Sequence, residues 1–276
     1  MDTMQALTSV RARIAQIRSV LDDRGAQVDV PRLATEISEL LQWARGHSDA
    51  RLELRQLLIL AGMTELKRGE PLKARGLLID GLAMDAGASA DPNQLTRDHY
   101  FLAGVAADLK NFQTAAEHYS LAASFALAAT DFNVDQRLGI REKQAFVLHE
   151  ARRFAEAYEV NQALLAEGER RFGANDPRLS TVMINTAQNL YALKRLPEAE
   201  SQLQRALAIA AGHGEAEREQ DLLYQLAVLA GELGKVAAAR AYLTARVERL
   251  QATGPTSLQE AARRSLEDFD RHESRR

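Results

Sequence analysis

Residues 177–209 read PRLSTVMINTAQNLYALKRLPEAESQLQRALAI. Met183, Ala187, Leu190 and Leu193 recur at helical spacing and make one apolar stripe. Pro197 interrupts the run and suits the first turn of a new helix, where its missing N–H leaves no bond unmade. Ala199, Leu203, Ala206 and Leu207 then form the stripe of a second helix. Small Ala187, Ala199 and Ala206 let the two backbones approach closely, while the leucines fill the space beside them. Such a pair cannot bury its apolar face alone and needs stacked neighbours.

The same pattern recurs along most of the chain. A small residue three positions into each second helix appears as Ala74, Ala115, Ala157, Ala199 and Ala239, at separations of 41, 42, 42 and 40 residues. Twelve positions earlier stand Gly62, Ala103, Ala145, Ala187 and Ala227, again all small. Three before each anchor come Pro71, Phe112, Phe154, Leu196 and Val236, which start the second helices. Seven after it come Gly81, Ala122, Leu164, Ala206 and Arg246, of which Leu164 and Arg246 depart from the rule. The six prolines all fall at or just before an expected helix start.

Asp176-Pro177, Asn185, Ala187, Leu190 and Tyr191, with Pro197-Glu198-Ala199-Glu200 and Arg205-Ala206-Leu207, resemble a tetratricopeptide repeat, closest to the longer kinesin-light-chain-like type. The familiar short form repeats every ~34 residues, so each helix here should be longer by roughly a turn. The resemblance implies an all-α chain folded as a right-handed α-solenoid of antiparallel helix pairs. It would hold about five repeats of 40–42 residues between an N-terminal helix pair and a C-terminal capping helix. We expect one domain over 1–276: a capping pair over 1–48, the repeats over 49–254, and a capping helix with a frayed tail over 255–276. In the first pair, residues 4–24 carry Leu7, Val10, Ile14, Ile17 and Leu21, and end at the polar Asp22-Asp23-Arg24-Gly25. Its second helix runs from Pro31 through Trp43. At the other end, Leu258, Ala261, Ala262 and Leu266 should cover the last repeat, with Thr256 or Ser257 as N-cap.

Composition agrees with helix: 46% of residues are hydrophobic but only 5% aromatic. A net charge of −3 gives no reason to expect nucleic acid or a membrane surface as partner. With no cysteine there is no disulfide framework, which suits a reducing compartment. The first residues lack the uninterrupted apolar core of a secretory signal, and no run approaches the ~20 apolar residues of a spanning helix. A cytoplasmic protein is the expectation.

Nothing in the sequence supports catalysis, a cofactor or a metal. There is no Gly-rich phosphate loop, and the six histidines make no paired-ligand spacing. His149-Glu150 are adjacent and diverge by ~100° on a helix, so they do not face one substrate together. The acidic Asp22-Asp23 and Glu215–Glu219 sit at helix ends, as solvated caps.

In a tetratricopeptide array the first helix of each unit lines an inner groove. By that resemblance the groove-facing residues of the first unit include Gln56, Ile59, Leu60, Met63, Leu66 and Lys67. Those of the second include Arg97, Tyr100 and Phe101; of the third, Glu142, Lys143, Phe146 and His149. The fourth gives Ile184, Asn185, Gln188 and Tyr191, and the fifth Asp221, Tyr224 and Gln225. Rigid aromatics beside adaptable amides suit a peptide or protein partner. The basic cradle that clamps a chain-terminal carboxylate in some such arrays is missing, since its positions hold Ile59, Met63, Phe101, Gly139 and Lys143. The first groove segment looks apolar enough for a hydrophobic anchor.

The expected function is a non-catalytic scaffold that binds a peptide or protein in this groove. One alternative is a regulatory or antagonist protein that sequesters a toxin or effector, as an immunity or chaperone-like protein would. Another is a peptide-pheromone receptor without its DNA-binding domain, and the weakest is an enzyme built on Glu142, Lys143 and His149. Homo-oligomerisation stays open.

Overall fold

The computed structural model describes residues 3–22, 27–84, 91–253 and 255–273. Among them are thirteen α-helices, two short 3₁₀ turns and no strand. The helices are α1 (Thr3–Asp22), α2 (Val30–Arg45), α3 (Arg51–Lys67), α4 (Pro71–Ala83), α5 (Pro92–Asp108), α6 (Phe112–Phe125) and α7 (Val134–Glu150). They continue with α8 (Phe154–Phe172), α9 (Ser180–Ala192), α10 (Leu196–His213), α11 (Ala216–Glu232), α12 (Val236–Thr253) and α13 (Thr256–Glu273). The all-α class read from the sequence is borne out. The polar segment Asp23–Gly25, most of the loop between Met84 and Pro92, and the tail 274–276 lie outside the described residues.

The chain divides into two compact units, Met1–Val147 and Leu148–Arg276. In the first, α1 and α2 pack on α3, and α3 to α6 pack each on the next. In the second, α8 to α13 do the same. Successive helices joined by short turns run antiparallel.

The anchor positions explain the packing. Ala74, Ala115, Ala157, Ala199 and Ala239 are fully or almost fully buried, and so are Ala103, Ala145, Ala187 and Ala227. Gly62 shows how tight the approach is: a Cβ there would stand 2.7 Å from Leu78 Cγ and 3.0 Å from the Ala74 carbonyl oxygen. At Gly81 it would meet Ile59 at 3.0 Å and the Arg55 carbonyl oxygen at 3.1 Å. Pro71, Phe112, Phe154, Leu196 and Val236 are each the first residue of their helix.

One regularity escaped the sequence reading. Five residues before each anchor the chain turns through the left-handed region, at Gly69, Lys110, Arg152, Lys194 and Gly234, with φ between 57° and 79°. The next residue's N–H then reaches back to close the first helix, as in Asn111 N to Ala106 O and Arg195 N to Leu190 O, both 2.8 Å. This is a Schellman closure, which satisfies the carbonyls a helix end leaves unpaired. Gly69 and Gly234 adopt the turn freely, but Lys110, Arg152 and Lys194 do so against the clash of their own Cβ.

The N-terminal pair does more than cap. Val10, Ile14, Ile17 and Leu21 of α1 join Ile59, Leu60 and Met63 of α3 in one buried cluster. Ile59 and Leu60 are 0% exposed, so the expectation that these positions form an open apolar groove is corrected. Apolar side chains on a first helix gain more from a packed neighbour than from water, and here the chain supplies that neighbour itself. Arg11 donates to the buried Glu53 at 2.6 Å, and Arg13 pairs with Glu36.

The C-terminal cover is thinner than its stripe suggested. Of Leu258, Ala261, Ala262 and Leu266, only Ala262 is buried, while Leu258 and Ala261 stay exposed. Its helix begins at Thr256, so Pro255 rather than Thr256 or Ser257 occupies the capping position, its carbonyl accepting from Leu258 N and Gln259 N.

Three substitutions test this account in thermal or urea unfolding. Gly62→Ala should destabilise by about 1–3 kcal/mol through overpacking. Gly76→Ala, on α4 with nothing within 4 Å of the new Cβ, should stabilise by up to ~1 kcal/mol through helix propensity. Lys194→Gly removes a strained left-handed residue and should raise stability by roughly 0.5–1 kcal/mol, whereas Ala at the same position should not.

Candidate functional site

Each unit contains a cavity. In the second unit a cavity of about 480 Å³ is lined by His149, Phe154, Gln188, Tyr191, Leu203, Tyr224, Gln225 and Val228, with Ala187, Ala192, Ala199 and Leu229 completing its wall. The sequence makes this space in a simple way. Repeat-position alanines on α9 and α10 are small enough to bring the backbones together, and they leave a hollow where larger side chains would fill it. Large side chains one turn away then stand around the hollow.

The rim side chains are held in place. Tyr191 donates its hydroxyl to the Glu232 carboxylate, which ties α9 to α11. That carboxylate holds the Tyr191 phenol above its ordinary pKa. Lys194 lies 5.4 Å from the Tyr191 ring centroid, and the Arg246 guanidinium lies 4.8 Å from that of Tyr224. His149 Nδ1 is 2.8 Å from Asn189 Oδ1, so this nitrogen carries the proton, and the ring meets Phe154 edge-on at 5.2 Å. By contrast, the amides of Asn185, Gln188 and Gln225 make no hydrogen bond among the described residues. The cavity is therefore an apolar hollow with ordered aromatic edges and free amides, of a size that small ligands and side chains occupy.

The first unit has a cavity of a different character, about 610 Å³, lined by Arg18 and Leu21 of α1, Met63, Leu66 and Lys67 of α3, and Arg97, Asp98, Tyr100 and Phe101 of α5. Phe132 and Gln136 close it. Beside it lies a buried ion network. Arg18 Nη1 donates to Asp98 Oδ1 at 3.0 Å, Arg55 Nη1 to Asp98 Oδ2 at 3.4 Å, and Gln94 Nε2 to Oδ1 at 2.7 Å. Burial pushes the Asp98 carboxyl up, and the two arginines pull against it. Arg97 pairs with Asp131 and lies 5.7 Å from the Phe132 ring centroid.

Behind this network, α5 and α6 face each other through two histidines. His99 Nδ1 is 2.8 Å from His118 Nδ1, and His99 also stacks on Phe125. One of the two nitrogens donates to the other, and burial disfavours the charged form of both rings. Burial lowers His99 to about 4, helped by the neighbouring His118 and Arg55, and burial also lowers His118.

The groove residues expected from the sequence are distributed as follows. His149, Gln188, Tyr191, Tyr224 and Gln225 meet around the second-unit cavity, and Arg97, Tyr100 and Phe101 line the first-unit cavity. Glu142, Lys143 and Phe146 are exposed and line neither, and Phe146 is 56% exposed. Ile184 is half-buried against the core of its unit, and Asp221 accepts from Gln220. Phe154, which starts α8, and Leu203, from the apolar stripe of α10, also line the second-unit cavity. Arg18, Asp98 and Phe132 had no sequence signal, because only the packing of α1 on α3 and α5 brings them together. The described residues hold no group of three or more side chains arranged for a metal. None of the described helices is long and apolar enough to cross a membrane.

Residues 137–211 match the tetratricopeptide repeat family. No curated protein matches the sequence. Among solved structures, BtubC (BKLC) from P. vanneervenii is 20% identical over 82% of this chain and 92% of its own, with a TM-score of 0.54. The apo form of RapI is 12% identical over 94% of this chain and 79% of its own, at 0.56. The nearly identical TPR-like repeats of a kinesin light chain from Podosopora anserina are 16% identical over 75% and 97%, at 0.51. These identities speak to fold alone. The fold is the tetratricopeptide repeat, and the long, kinesin-light-chain-like form is among the structures it resembles.

The histidine pair sets a pH dependence. An unfolded histidine titrates near 6.5 and His99 near 4, so the unfolded chain takes up the proton first as pH falls. Stability is thus fully present above pH 6.5 and declines toward pH 4, by an amount on the order of 3 kcal/mol for His99 alone. Urea midpoints measured from pH 7 to 4.5 should show this slope, and His99→Gln should flatten it.

Proposed function

We propose that this protein is a non-catalytic interaction scaffold and that the second-unit cavity receives an apolar side chain of a peptide or protein partner. The observation that carries this reading is the cavity's composition: a hollow of about 480 Å³ walled by alanine and leucine, edged by Tyr191 and Tyr224, with Gln188 and Gln225 free beside it. Rings already fixed by Glu232 and Arg246 lose little freedom on binding, so their contact area is available to the partner. Free amides can pair with the backbone on either side of the inserted side chain. Glu142, Lys143 and His149 do not gather around either cavity as an acid–base set, which favours binding over catalysis.

The test is a panel of capped pentapeptides that differ only in the central residue, read by fluorescence polarisation. Leu or Phe at the centre should bind roughly tenfold tighter than Ala, and Asp should not bind. Tyr191→Ala and Tyr224→Ala should each weaken the Leu and Phe peptides by a similar factor. Equal binding across the panel, or variants that bind like the parent, would move the site elsewhere.

A further inference from the structure

The first-unit cavity differs from the second in its charged lining. Its charge does not balance. Arg18, Arg55, Lys67 and Arg97 supply four cations in and beside it, against the two carboxylates of Asp98 and Asp131. Lys67 has no ion-pair partner among the described residues. Arg18 is the informative group: its side chain is only 13% exposed, Nη1 is spent on Asp98, and its Nη2 is buried with no hydrogen-bond partner. A guanidinium buried with an unused donor is costly, and a carboxylate is the group that best matches it. Three aromatic rings, Tyr100, Phe101 and Phe132, form the rest of the wall.

We propose that this cavity binds a carboxylate borne on an aromatic body, with Arg18 and Lys67 facing the carboxylate and the three rings enclosing the aromatic part. The site depends on α1, because Arg18 comes from that helix. Two of the inner positions that form a terminal-carboxylate clamp in some arrays, Met63 and Phe101, line this cavity with apolar side chains, so its cations come from other positions, Arg18 and Lys67. Arg97 is already neutralised by Asp131 and supports the Phe132 face rather than the anion. A volume of about 610 Å³ accommodates a molecule of one ring with a short acid arm. The carboxylate can come from a free aromatic acid or from a chain that ends in an aromatic residue.

The experiment titrates the full chain by calorimetry with N-acetylphenylalanine, its neutral amide N-acetylphenylalaninamide, and a pentapeptide ending in free phenylalanine. The acid should bind at least roughly tenfold tighter than the amide, and added salt should weaken it. Lys67→Met should reduce acid binding by a similar factor with unfolding unchanged, and so should Arg18→Met where circular dichroism shows α1 still docked. Tyr191→Ala, in the second-unit cavity, should leave this binding alone, which separates failure here from failure of the peptide reading. A pentapeptide that outbinds the acid upholds the carboxylate and assigns its source to chain ends. Equal binding of acid and amide, no heat from either, or full binding by Lys67→Met would overturn the proposal.

Discussion

Close approach of helix backbones at small residues is the constraint on which the rest of this structure depends. Ala115, Ala157 and Ala199 are at most 1% exposed, and Gly62 marks the limit of approach, with Leu78 and a backbone carbonyl where its Cβ would be. Because the contact recurs at a near-constant interval, each helix pair offers the next the same apolar face. Within each unit, burial is then shared from helix to helix instead of collected in one centre. The turn inside each pair must deliver the second helix at a fixed angle. The left-handed residue at Lys110 or Lys194 does this at a local cost that the packing of both helices outweighs.

The same small residues create the candidate sites. A tightly packed alanine pair draws backbones together, but it leaves a hollow beside it that only larger neighbours could fill. In the second unit the neighbours stand around the hollow instead, and Tyr191 is fixed there by a bond from α9 to α11. The structural tie and the binding edge are therefore one side chain. In the first unit α1 packs over the corresponding face. Ile59 and Leu60 of that face are covered, and what remains open sets Arg18, Lys67 and Arg97 beside three rings and the side chains of Leu21, Met63 and Leu66. Two units built on one repeat thus present cavities of different chemistry, because only one of them is covered by an added helix.

Buried polar groups separate the two units further. Asp98 between Arg18 and Arg55, and His99 against His118, lie on α5, which repeat logic alone would treat as an ordinary first helix. Replacing such groups with apolar ones is often tolerated in other proteins, while stranding one partner is not. The network fixes α1 on α5 and, through it, the shape of the first cavity.

The amino-acid sequence by itself determined the helix pairs, their period and their start residues, because small-residue spacing and proline placement act within one or two turns and do not depend on distant contacts. Most of the second-unit rim was also legible, since the resemblance to tetratricopeptide repeats, laid on the repeat register, points to His149, Gln188, Tyr191, Tyr224 and Gln225. Only the tertiary structure decided that Ile59, Leu60 and Met63 are core, because their burial depends on where α1 packs, and nothing in the periodicity specifies that. For the same reason Arg18, from α1, and Asp98, from α5, could not be paired in advance: they are 80 residues apart in sequence and meet only through that packing. The left-handed turns were hidden for another reason. Lysine and arginine carry no turn signal of their own, and adopt that conformation because the two helices they join are already held.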